Sequence, residues 1–177
     1  MLTIDPKRSL LLIVDFQSRL MPAIHDGASA VRNSKRLIDM ARLAVVPRIF
    51  TEQNPKGLGA TVADLPVDND KLVHKRSFDA CREAGFLELI PQDGHIVVAG
   101  CEAHVCVQQT VLGLIAAARK VFVVRDAVGS RSAENKEAGI GRMERHGAEI
   151  VTTEMVVFEW LQSAEHPRFR EAIALIK

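Results

Sequence analysis

The feature that most constrains the fold is the recurrence of short apolar runs separated by amphipathic segments. Each run is rich in Val, Ile and Leu at successive positions, which is typical of strands buried on both faces of a parallel sheet. The predicted strands cover residues 9–16, 45–52, 71–75, 95–100, 120–128 and 148–153.

The segments between these runs have the periodicity of helices, with apolar residues at spacings of three and four. Ser132 and Gly147 are typical of the N-cap and the end of one such helix. Further helices are predicted over residues 28–44, 103–119, 154–161 and 166–176. The alternation predicts an α/β fold, a three-layer αβα arrangement around a mostly parallel sheet of about six strands.

The length of 177 residues suits a single domain over residues 1–177. Residues 52–70 contain several Gly and Pro residues and predict one long loop over the sheet edge. Long loops in compact domains are often functional lids.

Charge and composition exclude several classes of partner. Lys plus Arg number 23 and Asp plus Glu 22, a formal charge of +1, so we expect neither a nucleic acid nor an anionic membrane as partner. No apolar stretch approaches the roughly 20 residues of a membrane helix, and the apolar run near the N-terminus lacks the pattern of a signal peptide. Three cysteines in such a chain indicate reduced thiols, and we expect a cytoplasmic protein.

Three polar residues follow or end predicted strands. Asp15 ends the first strand, Lys75 ends the third, and Cys106 lies within the first turn of the helix after the fourth. Because the carboxyl ends of parallel strands meet at one edge of the sheet, these side chains are predicted to converge there.

These residue types suit nucleophilic catalysis. A helix N-terminus and the Lys75 ammonium both favour the thiolate of Cys106, the form that attacks carbonyl carbon. The Asp15 carboxylate takes the thiol proton and delivers it to a leaving amine. Backbone N–H groups of Glu102 and Cys106 are the candidate donors to a developing oxyanion.

Structural interpretations compete with these roles. Cys81 and Cys101 are interpreted as small buried hydrophobes, and His104 as a side chain satisfied by local hydrogen bonds. Asp126 and Ser130, although at the same edge, are interpreted as turn and capping residues.

The segments LLIVDFQSRL, HKRSFDA, VVAGCEAHVCVQQTVLGL and VFVVRDAVGSRS together resemble the isochorismatase-like cysteine hydrolase family, which includes nicotinamidases. The resemblance spans nearly the whole chain. It implies the triad Asp15, Lys75 and Cys106, a sheet flanked by helices, and a cis peptide bond between Cys101 and Glu102.

The sequence differs from the nicotinamidases of this family at two places. Nicotinamidases have an Asp and two His for a metal after the second strand, whereas TEQNPKGLGATVADL contains no His. Ala103 and His104 stand where nicotinamidases have Thr-Asp. The chain is more similar to the small, metal-free members, so we expect no metal and no cofactor.

The sequence therefore predicts a cysteine hydrolase that cleaves a small amide-like substrate through a thioester. The predicted substrate pocket comprises Phe16, Gln17, Leu20, Gln53, Leu58, Phe78 and Glu102. Two other classes stay open, a binding, scaffold or redox-sensing protein with the same fold and a flavodoxin-like flavin binder.

The resemblance also implies a homo-oligomer, a dimer or larger. Apolar residues in EMVVFEWL and FREAIALI bury either against a partner copy or against the sheet of the same chain.

Overall fold

The computed structural model describes residues 2–177 and contains one six-stranded sheet in the order β3-β2-β1-β4-β5-β6. All neighbouring strands pair in parallel. The strands are β1 Ser9–Val14, β2 Arg48–Gln53, β3 Lys71–Lys75, β4 His95–Cys101, β5 Lys120–Gly129 and β6 Glu149–Val151. The predicted α/β fold with a parallel six-stranded sheet is confirmed.

Helices follow the strands in the predicted alternation, and Ser132 caps one of them by accepting a hydrogen bond from the Asn135 N–H at 3.2 Å. Among the described residues, no helix has both the length and the apolar composition that crossing a bilayer requires. The helices are α1 Gly27–Leu43, a single turn α2 Pro55–Leu58, α3 Gln108–Ala116, α4 Ala133–Arg145, α5 Thr153–Leu161 and α6 Phe169–Ile176, with a π-helical turn Ala103–Val107 directly before α3.

The alternation of side chains along the central strands builds two separate apolar cores. In β1, Leu11 and Ile13 face the layer of α1, α5 and α6, whereas Leu10, Leu12 and Val14 face the layer of α3 and α4. Every residue of β1 and β4 is buried, as a strand covered on both faces requires.

Several predicted boundaries are wrong. Val45 belongs to a left-handed turn after α1, with φ 57° and 86% of its surface exposed, so β2 begins only at Arg48. The edge strand β3 has two exposed, two half-buried and one buried residue, so it is not buried on both faces. The predicted loop over residues 52–70 begins inside β2 and includes the helical turn α2.

The strand order places β1 beside β4, at the point where the chain changes its direction of winding across the sheet. Crevices beyond the carboxyl ends of such neighbouring strands are where ligands bind in open α/β sheets. Gly100 of β4 permits a close approach here, because a Cβ atom would overlap the Val14 carbonyl oxygen of β1.

Candidate active site

The candidate site is built on a buried ion pair between the ends of β1 and β3. Lys75 Nζ lies 2.6 Å from Asp15 Oδ2, and neither side chain has exposed surface. The structure thus brings together two residues that are 60 positions apart in the sequence. Charges buried to this extent require partners, and here each is the other's partner.

The backbone turns sharply at Asp15, which has the left-handed φ of 52° that Asp tolerates better than most residues. Its N–H donates to the Thr51 carbonyl of β2 at 3.1 Å, and its carbonyl accepts from the Gln17 N–H at 2.8 Å. These bonds fix the residue at the carboxyl edge of the sheet.

Lys75 reaches Asp15 across the end of β2, the strand that lies between them. Its ammonium group donates to Asp15, to Gln53 Oε1 at 2.9 Å and to the Ser77 carbonyl at 3.4 Å. An ammonium group has three donors, and this one has an acceptor for each.

Thr51 is a member of the site that the sequence analysis missed. Its hydroxyl donates to Asp15 Oδ1 at 2.6 Å, and the residue is 1% exposed. The alternation along β2 places Thr51 on the same face as the predicted pocket residue Gln53. Its position beside Asp15 follows only from the pairing of β1 with β2.

Cys106 lies beside the ion pair, in the π-helical turn between β4 and α3, and is 7% exposed. Burial is the main cause that raises the pKa of its thiol to about 12, and the Asp15 charge and hydrogen bond add to the rise. The charge and hydrogen bond of Lys75 lower the same pKa by less.

The surroundings as a whole raise the pKa of the Cys106 thiol, so the expectation that they stabilise the thiolate is wrong. Lys75 alone acts in the expected direction, because it lowers this pKa. A nucleophilic attack by this sulfur requires an acceptor for its proton, and the Asp15 carboxylate stands next to it.

The side chain of Glu102, which was predicted to line the substrate pocket, is bound by Arg131 of a neighbouring loop. Its carboxylate accepts from the Arg131 backbone N–H at 3.0 Å, from Nε at 3.0 Å and from Nη2 at 2.6 Å. The hydrogen bonds and charge of Arg131 lower the pKa of this carboxyl group. The expected cis peptide bond between Cys101 and Glu102 is present.

Two predicted pocket residues have no exposed surface, so this part of the pocket prediction is corrected. Phe16 belongs to the apolar core beneath the site. Gln17 is fully buried, and its side chain accepts from the Gln53 N–H at 2.8 Å and donates to the Gln53 and Gly59 carbonyls. Both residues support the site from beneath.

The other predicted pocket residues lie nearer the surface. Leu20, Gln53 and Leu58 are half-buried, and Phe78 is 52% exposed. Gln53 also braces Lys75, because its Nε2 donates to the Arg76 carbonyl at 2.8 Å and so directs Oε1 towards the ammonium group.

The polar residues interpreted as structural have partners, but these lie on segments distant in the sequence, so the expected local partner of His104 is wrong. Asp126 Oδ1 accepts from the Thr153 N–H at 2.8 Å at the start of α5, and His104 Nδ1 lies 3.0 Å from Ser130 Oγ. Cys101 is fully buried. Cys81 is half-buried, and burial is the main cause that raises the pKa of its thiol to about 12.

Among residues 2–177, no group of three or more His, Cys, Asp or Glu side chains is placed to hold a metal ion. The polar atoms at the centre of the candidate site are those of Asp15, Lys75, Cys106, Thr51 and Gln53.

Comparison with known proteins identifies the family. The isochorismatase domain family model matches residues 9–155. Isochorismatase domain-containing protein 2 of Danio rerio is 34% identical over 98% of this chain and 89% of that protein. The chain belongs to the isochorismatase family. The resemblance noted in the sequence is thereby confirmed.

Other relatives give the same family. Isochorismatase domain-containing protein 1 of Danio rerio is 36% identical over 98% of this chain, but the match covers only 62% of that longer protein. Among solved structures, a MAR1 ribonuclease from Caenorhabditis elegans is similar with a TM-score of 0.91 and 36% identity, over 98% of this chain and 92% of that one. This isochorismatase-family chain therefore shares both fold and sequence with these proteins.

Proposed function

We propose that this protein is a cysteine hydrolase of small amide-like substrates, with Asp15, Lys75 and Cys106 as its catalytic residues. The single observation that carries the proposal is the buried Lys75–Asp15 ion pair beside the Cys106 thiol. The family assignment supports a hydrolase of the isochorismatase type.

In the proposed mechanism, Cys106 Sγ attacks the substrate carbonyl carbon while its proton passes to Asp15. The tetrahedral intermediate collapses when the carbon–nitrogen bond breaks, and the leaving amine takes the proton from Asp15. Water then attacks the thioester, with Asp15 as base, and releases the acid and the thiol. Lys75 stabilises the negative charge on sulfur, and the Glu102 and Cys106 N–H groups are the proposed oxyanion donors.

The proposed substrate is small, because the sulfur lies in a residue that is only 7% exposed. Leu20, Leu58 and Phe78 are the proposed apolar border of its binding site, in keeping with the usual composition of such sites. We propose that the protein acts as a homo-oligomer and without a metal or cofactor.

The groups beside the thiol favour the hydrolase over a redox sensor. An oxidant-sensing cysteine requires neither a carboxylate nor an ammonium group as a neighbour. Cys106 has both, in the Asp15–Lys75 ion pair. An absorbance spectrum of the purified protein tests the flavin-binding class, for which we expect no flavin bands.

The decisive experiment is a hydrolysis screen on small amides and carbamoyl compounds. We expect Cys106→Ala to lower turnover by at least about 1,000-fold, since removal of a nucleophile eliminates the covalent route. Cys81→Ala is the matched control, and we expect it to retain activity. Turnover that survives Cys106→Ala would assign the reaction to another site or to a contaminant.

The screen also includes a single-stranded RNA, because the Caenorhabditis elegans relative is described as a ribonuclease. The net charge of +1 provides no excess of cations for a polyanion, and we expect no cleavage. RNA cleavage that disappears in Cys106→Ala would replace amides by phosphodiesters as the substrate class.

A further inference from the structure

The end of β2 directs polar side chains to both faces of the sheet. Thr51 and Gln53 point towards the buried ion pair, as residues two apart on a strand do. The intervening Glu52 points away from it, and its Oε1 accepts from the Thr61 N–H at 2.7 Å and hydroxyl at 2.8 Å.

The Thr51 hydroxyl and the Lys75 ammonium group each donate to a different oxygen of the Asp15 carboxylate. Thr51 donates to Oδ1 at 2.6 Å, and Lys75 donates to Oδ2 at 2.6 Å. Two donors on opposite oxygens fix the plane of the carboxylate as well as its position. Because Thr51 is 1% exposed and Asp15 fully buried, bulk water has no access to replace the hydroxyl.

We propose that Thr51 is a positioning residue of the hydrolase, whose hydroxyl holds the Asp15 carboxylate in the orientation that receives the proton of Cys106. The inference rests on the proposed function, because the orientation of Asp15 matters only if this carboxylate takes the thiol proton. Thr51 itself acts through Asp15 and does not touch the reacting sulfur in this role.

The physical basis is a charge-assisted hydrogen bond to a buried carboxylate. A hydroxyl that donates to one carboxylate oxygen also fixes the direction of the other oxygen. Without the hydroxyl, only the Lys75 ammonium group holds the Asp15 carboxylate, which then turns more freely about its last bond. Any reaction in which Asp15 takes the proton of Cys106 is therefore slower.

The test is the rate of Cys106 alkylation by iodoacetamide at one neutral pH, followed by mass spectrometry that locates the label at residue 106. For Thr51→Val we expect labelling to slow by about three- to tenfold, because the proton acceptor is less well placed. Thr51→Ser keeps the hydroxyl, and we expect it to label at the rate of the unmodified protein. A purely structural role would change stability without slowing the labelling of a folded variant.

Circular dichroism and urea denaturation establish whether each variant is folded. If Thr51→Val does not fold, Thr51→Ala removes the same hydroxyl without placing an apolar branch against the carboxylate, and the expected slowing is the same. An unchanged labelling rate in a folded Val or Ala variant overturns the inference. So does a Thr51→Ser variant that labels as slowly as Thr51→Val.

Asp15→Asn and Cys106→Ala distinguish a failure of the Thr51 positioning role from a failure of the proposed proton transfer. We expect Asp15→Asn to slow labelling at least as much as Thr51→Val, and Cys106→Ala to abolish labelling at position 106. If both hold and the Thr51 variants label at the unmodified rate, only the positioning role fails. If Asp15→Asn leaves the rate unchanged, the proposed proton transfer fails, and the positioning role fails with it.

Discussion

At the scale of single residues, the site depends on a pair of charges that the fold has removed from water. The ionic side chains of Lys75 and Asp15 are fully buried, and desolvation of such a pair costs several kcal/mol per ion. Hydrogen bonds from Thr51 and to Gln53 and Ser77 offset part of this cost. Removal of one partner leaves the other charge uncompensated.

We therefore expect Lys75→Met to lower the free energy of unfolding by about 3–5 kcal/mol, the usual cost of an unpaired buried charge. Met preserves most of the apolar stem, so the loss reports mainly the missing ammonium group. Urea denaturation followed by circular dichroism measures the change.

The matched control is Lys35→Met, which removes a lysine from an exposed pair with Asp39 on α1. Surface pairs contribute about 0–1 kcal/mol, so we expect a small effect. In the double variant Lys75→Met with Asp15→Asn, we expect part of the stability to return. A Lys75→Met loss no larger than that of Lys35→Met would contradict the cost assigned to the buried charge.

At the scale of elements, the turn that bears Cys106 is attached to the next β–α connection. Glu102, at the end of β4, binds both the backbone N–H and the guanidinium group of Arg131, which precedes α4. The Val105 and Val107 N–H groups donate to the Glu102 carbonyl, at 3.0 Å and 3.2 Å. One residue thus joins the π-helical turn to the loop after β5.

This connection predicts a pH dependence of stability. The hydrogen bonds of Arg131 lower the pKa of the Glu102 carboxyl group in the folded protein below its ordinary value of 4.5. The associated stabilisation is complete above that value and is lost as pH falls through the folded pKa. We expect Glu102→Gln to flatten the loss of unfolding free energy on acidification below about pH 5.

Urea denaturation at a series of pH values from neutrality to pH 3 measures this slope. Glu137→Gln is the control, since Glu137 forms an exposed ion pair with Arg125. If the two variants have the same slope, the Glu102–Arg131 connection does not contribute to acid sensitivity.

At the scale of the whole molecule, parallel strand direction and strand order together produce the site. Parallel direction places the ends of β1, β3 and β4 on one edge, and the order β3-β2-β1-β4 sets their separations. The same architecture buries most of the C-terminal apolar residues against the chain itself. Val156, Val157 and Trp160 of α5 lie in the core that α1 covers.

The homo-oligomer stays a prediction, and the surface of α5 offers a way to test it. Met155 and Phe158 are each 45% exposed and lie one helical turn apart. We expect sedimentation velocity to give a mass that is a multiple of the chain mass, and Met155→Glu with Phe158→Glu to reduce it. A monomeric unmodified protein would refute the oligomer, and an unchanged mass in the double variant would place its interface elsewhere.

The sequence by itself determined the fold class, and it predicted three residues of the candidate site. Apolar runs and helical periodicity are local properties, so the strands and their alternation with helices could be predicted, as could the Ser132 cap. Because parallel strands end on a common edge, the meeting of Asp15 and Lys75 followed from their positions at strand ends.

Only the tertiary structure decided what surrounds those residues. Thr51 entered the site, and the predicted pocket residue Gln53 became a partner of Lys75, because β2 lies between β3 and β1. No local pattern in the sequence specifies this strand order. The partner of Glu102 and the direction of the Cys106 pKa shift depended likewise on contacts between distant segments and on the depth of burial. Periodicity along the chain specifies which residues are buried, but a thiol pKa depends on the charges and the solvent around it in three dimensions.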